Sequence, residues 1–161
     1  MDRQGRVRSA LLLAAEGQIR WAAKRMIQVH EIKDGLVLHL DPDELEAEGG
    51  ACTGTESIRV QGPHFFLCIA SNEQSGNWVP LFSVAGPLRT LVPNEEKAGH
   101  PKWCESTTYF HRKQVWQAPH SAVVAASIAG GDLSRPGERN TLTEAGLDIV
   151  YSVAFPESTA Q

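Results

Sequence analysis

Apolar positions along the chain fall into one helical stretch followed by a series of short extended ones. Over residues 8–29, Leu12, Ile19, Ala22, Ala23, Met26 and Ile27 recur at spacings that line one side of a helix. Ser9 suits the N-cap. Glu16, Arg20 and Lys24 step by four along another side, so Glu16 can pair with Arg20. Gly17 costs such a helix about 1 kcal/mol relative to alanine, so the helix needs docking to persist. After Asp34-Gly35 the period shortens. Residues 36–40 are an apolar run closed by Asp41-Pro42, the pattern of a buried strand ending in a turn. Residues 41–57 carry Asp43, Glu44, Glu46 and Glu48, then Gly49, Gly50 and Gly54, which predicts a long surface loop. Residues 64–70 form a second strand, 72–77 a turn, and 78–84 a third strand, in which Pro80 points to an edge or a bulge. Residues 88–92 read as a fourth strand, 93–102 as a polar loop, and 107–116 as one long strand. Residues 121–128 fit either strand or helix, as does the stretch holding Leu147, Ile149, Tyr151 and Val153, while 130–139 read as loop.

Short strands, frequent Gly/Pro turns and a single clear helix predict a mainly β (α+β) fold. The expected organisation is a basic amphipathic helix over residues 1–30 and a small barrel or sandwich over 31–161. A chain of 161 residues suits that size, since a domain of this length buries roughly two thirds of the surface its unfolded chain exposes. The net charge of −4 is unevenly spread. Arg3, Arg6, Arg8, Arg20, Lys24 and Arg25 face only Asp2 and Glu16 in the first thirty residues, so the remainder is strongly acidic. A basic leader on an acidic body suits a nucleic-acid contact or an acidic partner surface, or simply a helix packed on its own domain. Cys52, Cys68 and Cys104 are too few and too scattered for a disulfide framework, which implies reduced thiols and a cytoplasmic protein. No apolar run approaches the roughly 20 residues of a membrane helix, and residues 10–15 lack the cleavage site of a signal peptide.

Residues 34–84 carry a further pattern: Asp34-Gly35-Leu36-Val37, Asp41-Pro42, an acidic Gly-bearing loop, Gly62-Pro63-His64, a strand ending Ile69-Ala70-Ser71, and another ending Leu81-Phe82-Ser83. This order resembles the first half of the MazF/PemK-like endoribonuclease toxins. The resemblance implies an SH3-like barrel, a toxin–antitoxin setting with a protein partner, metal-independent cleavage of single-stranded RNA, and a homodimer. Two departures bear on the chemistry. Pro63-His64 stands where the family has Arg-Pro, and Phe82-Ser83 stands where it has Thr-Ser.

Metal-free RNA cleavage needs a base for the 2′-hydroxyl, an acid for the leaving oxygen and a cation for the phosphorane charge. His64, Ser83 and Arg112 are the candidate catalytic residues, with His111 as a further source of acid or base. Arg89, Tyr109, His111 and Trp116 are the candidates for contact with RNA, because cations interleaved with aromatics suit single strands. Alternation along a strand would send His111 and Lys113 to one face and Arg112 to the other. The competing readings are a His64 that merely opens a strand and a solvated face over an aromatic core. His64 and Cys68 do not make a metal pair, since four residues of strand span roughly 13 Å. His100 and Cys104 share that spacing in a loop and would need His111 and His120 as well, so no metal and no cofactor is expected. Cys104 has only Lys102 close by to activate it as a nucleophile. Gly130-Gly131-Asp132 lacks the spacing of a phosphate-binding loop. The rival reading is a non-enzymatic protein-binding module that uses the basic helix or the acidic residues 41–57.

Overall fold

Leu36–Leu40 and His64–Ser71 are apolar on both faces because the sheet they build is covered on both sides. A computed structural model describes residues 27–53, 59–128 and 139–154. Strand β1 (Leu36–Leu40) pairs antiparallel with β3 (His64–Ser71), placing Val37 opposite Leu67 and His39 opposite Phe65. Alternate residues then enter two separate cores. Leu36, Leu38, Leu40, Phe66 and Cys68 join one, and Val37, Leu67 and Ile69 join the other. Each such large apolar side chain contributes on the order of 1.5–3 kcal/mol when taken fully from water.

β3 turns through Asn72, whose Oδ1 accepts from the Gln74 and Ser75 amides at 2.8 and 2.9 Å, into β4 (Ser75–Phe82). β2 (Ala51–Cys52), β8 (Trp116–Pro119), β4, β3, β1, β9 (Asn140–Leu142) and β6 (Lys97–Ala98) follow one another across the sheet, which is open along this path. β5 (Arg89–Leu91) pairs with β7 (Tyr109–His111), and β7 pairs with the far end of β4. β4 therefore takes part in three ladders, with β3 along one edge and with β8 and then β7 along the other. Pro80 lies inside it, yet β4 is a central strand, not an edge. The irregularity falls on the strand beside it: pairing runs from Ser75 opposite Pro119 to Trp78 opposite Trp116, stops, and resumes at Leu81 opposite Phe110. The expected single strand over 107–116 is thus two short strands split by residues 112–115.

Several expectations are corrected by local chemistry. The acidic stretch after β1 is a helix, α1 (Pro42–Ala47), where a loop was expected. Asp41 caps it by accepting from the Asp43 amide at 3.0 Å, Pro42 occupies the first turn, and Asp43 and Glu44 favour the positive end of the helix. β2 follows it directly. α2 (Pro101–Glu105) replaces part of a supposed loop and is capped by the His100 side chain. α3 (His120–Ala126) and α4 (Glu144–Ala154) resolve the two ambiguous stretches as helices. Val150 is fully buried, with Leu147 and Val153 packed beside the same core, while Ile149 and Tyr151 face outward. That is a helical spacing, and the alternation read from the sequence was incidental. α1 and α3 supply Leu45, Ala122, Val123 and Ala126 to the first core. α2 and α4 supply Trp103 and Val150 to the second.

Residues 8–26 of the expected N-terminal helix lie outside the described residues, as do 130–138 of the expected loop. Gln28 is extended, and Val29–Glu31 is a 3-10 turn rather than the helix's last turn. Ile27 is buried in the first core beside Ile32. Among the described residues no helix is long and apolar enough to cross a membrane.

Two positions hold the design tightly. Gly35 has φ +91°, and a Cβ there would stand 2.4 Å from the Leu142 carbonyl oxygen, where β1 meets β9. Gln114, fully buried in the broken segment, accepts through Oε1 from the Val60 amide at 3.0 Å and from Trp116 Nε1 at 3.1 Å. Replacing Gln114 by leucine strands both donors. Each unsatisfied group costs about 1–3 kcal/mol, so Gln114→Leu is expected to lower stability by at least that much in urea titration. An unchanged midpoint would contradict this reading of the segment.

Candidate functional site

The strand ends on one side of the sheet converge. His39 from β1, His64 and Phe65 from β3, and Phe82 from β4 meet Ser83 and Val84 of the following turn and Arg89 of β5. His100, Lys102 and Trp103 come in from α2 and its cap, Asn140 from β9, and Ser106–Thr108 from the loop before β7. Together they line a cavity of about 670 Å³, within the usual range for small-ligand sites.

The three histidines and Arg89 in it are each held by a specific contact. The His39 ring stacks on Phe65 with centroids 4.7 Å apart and planes at 19°. Phe65 is more than a third exposed, although the four residues that follow it in β3 are buried. His64 meets the edge of Phe82 at 5.5 Å, and its Nδ1 lies 3.0 Å from the Gly62 carbonyl oxygen. Arg89 packs its guanidinium over the same Phe82 ring at 3.9 Å and donates through Nη1 to the Val84 carbonyl at 2.9 Å. Phe82 is therefore a shared floor for a cation and an imidazole. His100 donates its amide to Asn140 Oδ1 at 2.9 Å, and its Nδ1 accepts from the Lys102 amide at 3.0 Å. Gly99 is needed beneath this contact: with φ +127°, a Cβ there would lie 2.5 Å from Asn140 Oδ1.

Lys97 stands behind the wall. Its Nζ donates to the Ser106 carbonyl and to Thr108 Oγ1, both at 2.7 Å, and sits 4.3 Å from the Trp103 ring centre. Burial pushes its pKa down to about 8, against a small opposing pull from Cys104. The two hydrogen bonds fix the turn that brings Ser106, Thr107 and Thr108 to the cavity.

Of the residues singled out from the sequence, the fold brings His64, Ser83 and Arg89 to one cavity. It takes the others elsewhere. Trp116 is 1% exposed, edge-on to Phe66, and donates to Gln114, so it has no free face for a base. His111 is buried behind β5, with Nδ1 accepting from the Lys113 amide at 3.1 Å. Burial first, then the nearby charges of Arg89, Arg112 and Lys113, lowers its pKa. Tyr109 is half-buried between β4 and β5, and Arg112 is exposed in the turn after β7. The strand break removes the alternation that would have displayed these residues together. Cys68 is buried, and burial, followed by the charge of Asp34, pushes its thiol up to about 12. Cys104 rests its Sγ 3.8 Å from the Gly99 carbonyl. Among the described residues no three His, Cys, Asp or Glu side chains cluster as a metal site would require.

His39, Phe65, Phe82, His100 and Lys102 were not singled out as RNA-contacting residues. Two of them left a trace. His39 is the one polar residue in a strand otherwise apolar on both faces, and His100-Pro101 is a cap followed by a first-turn proline. Comparison with family models, curated proteins and solved structures finds no match to this chain.

The lowered Lys97 pKa sets a pH dependence with a definite sign. Between about pH 8 and the ordinary lysine value of 10.5 the unfolded chain holds a proton that the folded chain has released. Stability from this group therefore rises with pH across that window, by up to about 1.4 kcal/mol per pH unit. The stability of the native chain relative to Lys97→Met should increase from pH 8 to pH 10 in parallel denaturant titrations. A flat difference would show that the ammonium keeps its proton.

Proposed function

We propose that this cavity binds single-stranded RNA and cleaves it without a metal ion. One observation carries the reading. In a chain of net charge −4, the described residues lining the cavity include three histidines, an arginine and a lysine, and no aspartate or glutamate. A local positive site in an acidic surface draws a phosphate to that place and repels it elsewhere. The aromatic rings in the same wall suit an unpaired base, whose face stacks without regard to sequence.

The residues divide the chemistry of 2′-hydroxyl attack among them. His64 takes the 2′ proton, Arg89 and Lys102 offset the charge that develops on the phosphate, and the Ser83 hydroxyl hydrogen-bonds to a phosphate oxygen. Arg112 and Trp116, named from the sequence for this work, give way to Arg89 and Phe65. The resemblance to the ribonuclease toxins supports the same activity, and the three scattered cysteines support a cytoplasmic setting. The resemblance also suggests an SH3-like barrel: a strand whose edge passes from one partner to another, as that of β4 passes from β8 to β7, is how small β folds turn a corner. The rival reading, a protein-binding module using the basic residues 1–30 or the acidic residues 41–57, draws on α1 and its C-cap, where Asp43, Glu44 and Glu48 are all exposed.

The test is cleavage and binding of a mixed-sequence single-stranded RNA in EDTA. Cleavage should persist in the chelator and fall about 10²- to 10⁴-fold in His64→Gln, the usual span for loss of a general base. Arg89→Ala should reduce the dependence of log affinity on log salt by about 0.7, one single-strand phosphate contact. Phe65→Ala should weaken binding by about 1–3 kcal/mol and leave that slope unchanged. RNA that neither binds at low salt nor is cut would refute this reading and favour the protein-binding one.

A further inference from the structure

His64 and His100 line the same cavity, but the backbone holds them in opposite ways. A carbonyl oxygen can only accept a hydrogen bond, so the 3.0 Å contact between His64 Nδ1 and Gly62 requires the proton on Nδ1. The neutral ring then carries its lone pair on Nε2. An amide N–H can only donate, so the 3.0 Å contact from the Lys102 amide requires a bare Nδ1 on His100. That ring must carry its proton on Nε2. Both partners are main-chain groups and cannot reverse their roles. Gly62 precedes the proline that leads into β3, and Lys102 lies in the first turn of α2. The second grip on His100 is its own amide, bound to the buried Asn140 side chain at 2.9 Å.

We propose that these fixed tautomers divide the work on the phosphodiester, with His64 as the general base and His100 as a neutral hydrogen-bond donor to a non-bridging phosphate oxygen. The proposal rests on the RNA-cleaving reading and adds a catalytic residue to it. In the step, His64 Nε2 takes the proton of the 2′-hydroxyl and becomes an imidazolium, still donating from Nδ1 to Gly62. The 2′-oxygen attacks phosphorus with the freed electron pair, and the bond from phosphorus to the 5′-oxygen breaks. Products are a 2′,3′-cyclic phosphate and a 5′-oxygen that takes its proton from water. His100 gives no proton away. Losing the Nε2 proton while Nδ1 accepts from Lys102 would leave an imidazolate, so the ring is confined to donating a hydrogen bond as charge builds on the phosphate. Neutral imidazole used as a fixed donor is an established way to stabilise a developing oxyanion.

Two measurements on the full chain test this. Long-range proton–nitrogen correlation spectra of the neutral histidine rings should show the Nδ1–H tautomer at His64 and the Nε2–H tautomer at His100. His64→Ala and His100→Ala serve to assign the signals. In cleavage of a single-stranded RNA, His64→Gln should lose activity because an amide is no base. His100→Gln, whose amide N–H can reach the position of Nε2, should retain at least ten times the activity of His100→Ala. The same tautomer at both rings, or a reversed pair, overturns the division even if RNA is cleaved. Equal loss in His100→Gln and His100→Ala also overturns it, because proton transfer by His100 would then be required. Tautomers as described in a protein that cleaves no RNA would overturn the ribonuclease reading and this assignment together.

Discussion

Pro80 has no amide hydrogen to offer a neighbouring strand, yet it lies inside β4, the strand that pairs with β3, β8 and β7. A proline there requires the chain beside it to find other partners, and it does. Residues 112–115 leave β4, the Val115 amide donates to Thr53 Oγ1 at 3.0 Å, and Gln114 turns inward to serve Val60 and Trp116. β7 and β8 become separate strands, and the end of β4 passes from β8 to β7, which carries β5 on its other edge. That passage delivers Phe82 and Ser83 to the cavity and sets Arg89 across the Phe82 ring.

The cavity is polar in a particular way. Its arginine is held by a main-chain carbonyl and an aromatic ring instead of a carboxylate. Arg89 is pinned by Val84 and Phe82, and behind the wall Lys97 is pinned by Ser106, Thr108 and Trp103. A carboxylate partner would neutralise a cation before a ligand arrived. A carbonyl or a ring orients it and leaves its charge for an anion. The acidic side chains lie elsewhere, in part on the exposed turns of α1, so the molecule's overall charge and its local charge at the cavity have opposite signs.

How far this was legible in the sequence follows from the range of each interaction. β1, β3 and β4 were plain because both their faces are buried, which leaves unbroken apolar runs. α1 was hidden by its composition: acidic residues followed by glycines look like a loop unless Asp41-Pro42 is taken as a cap and first turn. α4 was ambiguous because Leu147 and Val153 fit an alternation, and only the burial of Val150 decides for the helix. His64, Ser83 and Arg89 could be nominated as chemistry-bearing residues at strand ends. His39 and His100 reach the cavity through pairings across the whole chain, which no local pattern encodes. The error at Trp116 has the same origin, since a strand's alternation predicts its faces only while the strand continues, and the break before Trp116 ended it.

The central claim is that the cavity, whose described lining holds cations and no carboxylate, and not the acidic surface of α1, is where this protein meets its ligand. The most direct test is to add a short single-stranded oligoribonucleotide at low salt and follow the side-chain resonances of the full chain. The account predicts that the rings of His39, His64 and His100 and the Arg89 guanidinium shift together with a single affinity, while His30 and the carboxylates of Asp43 and Glu44 stay in place. Shifts confined to α1, or none at saturating RNA, would contradict it.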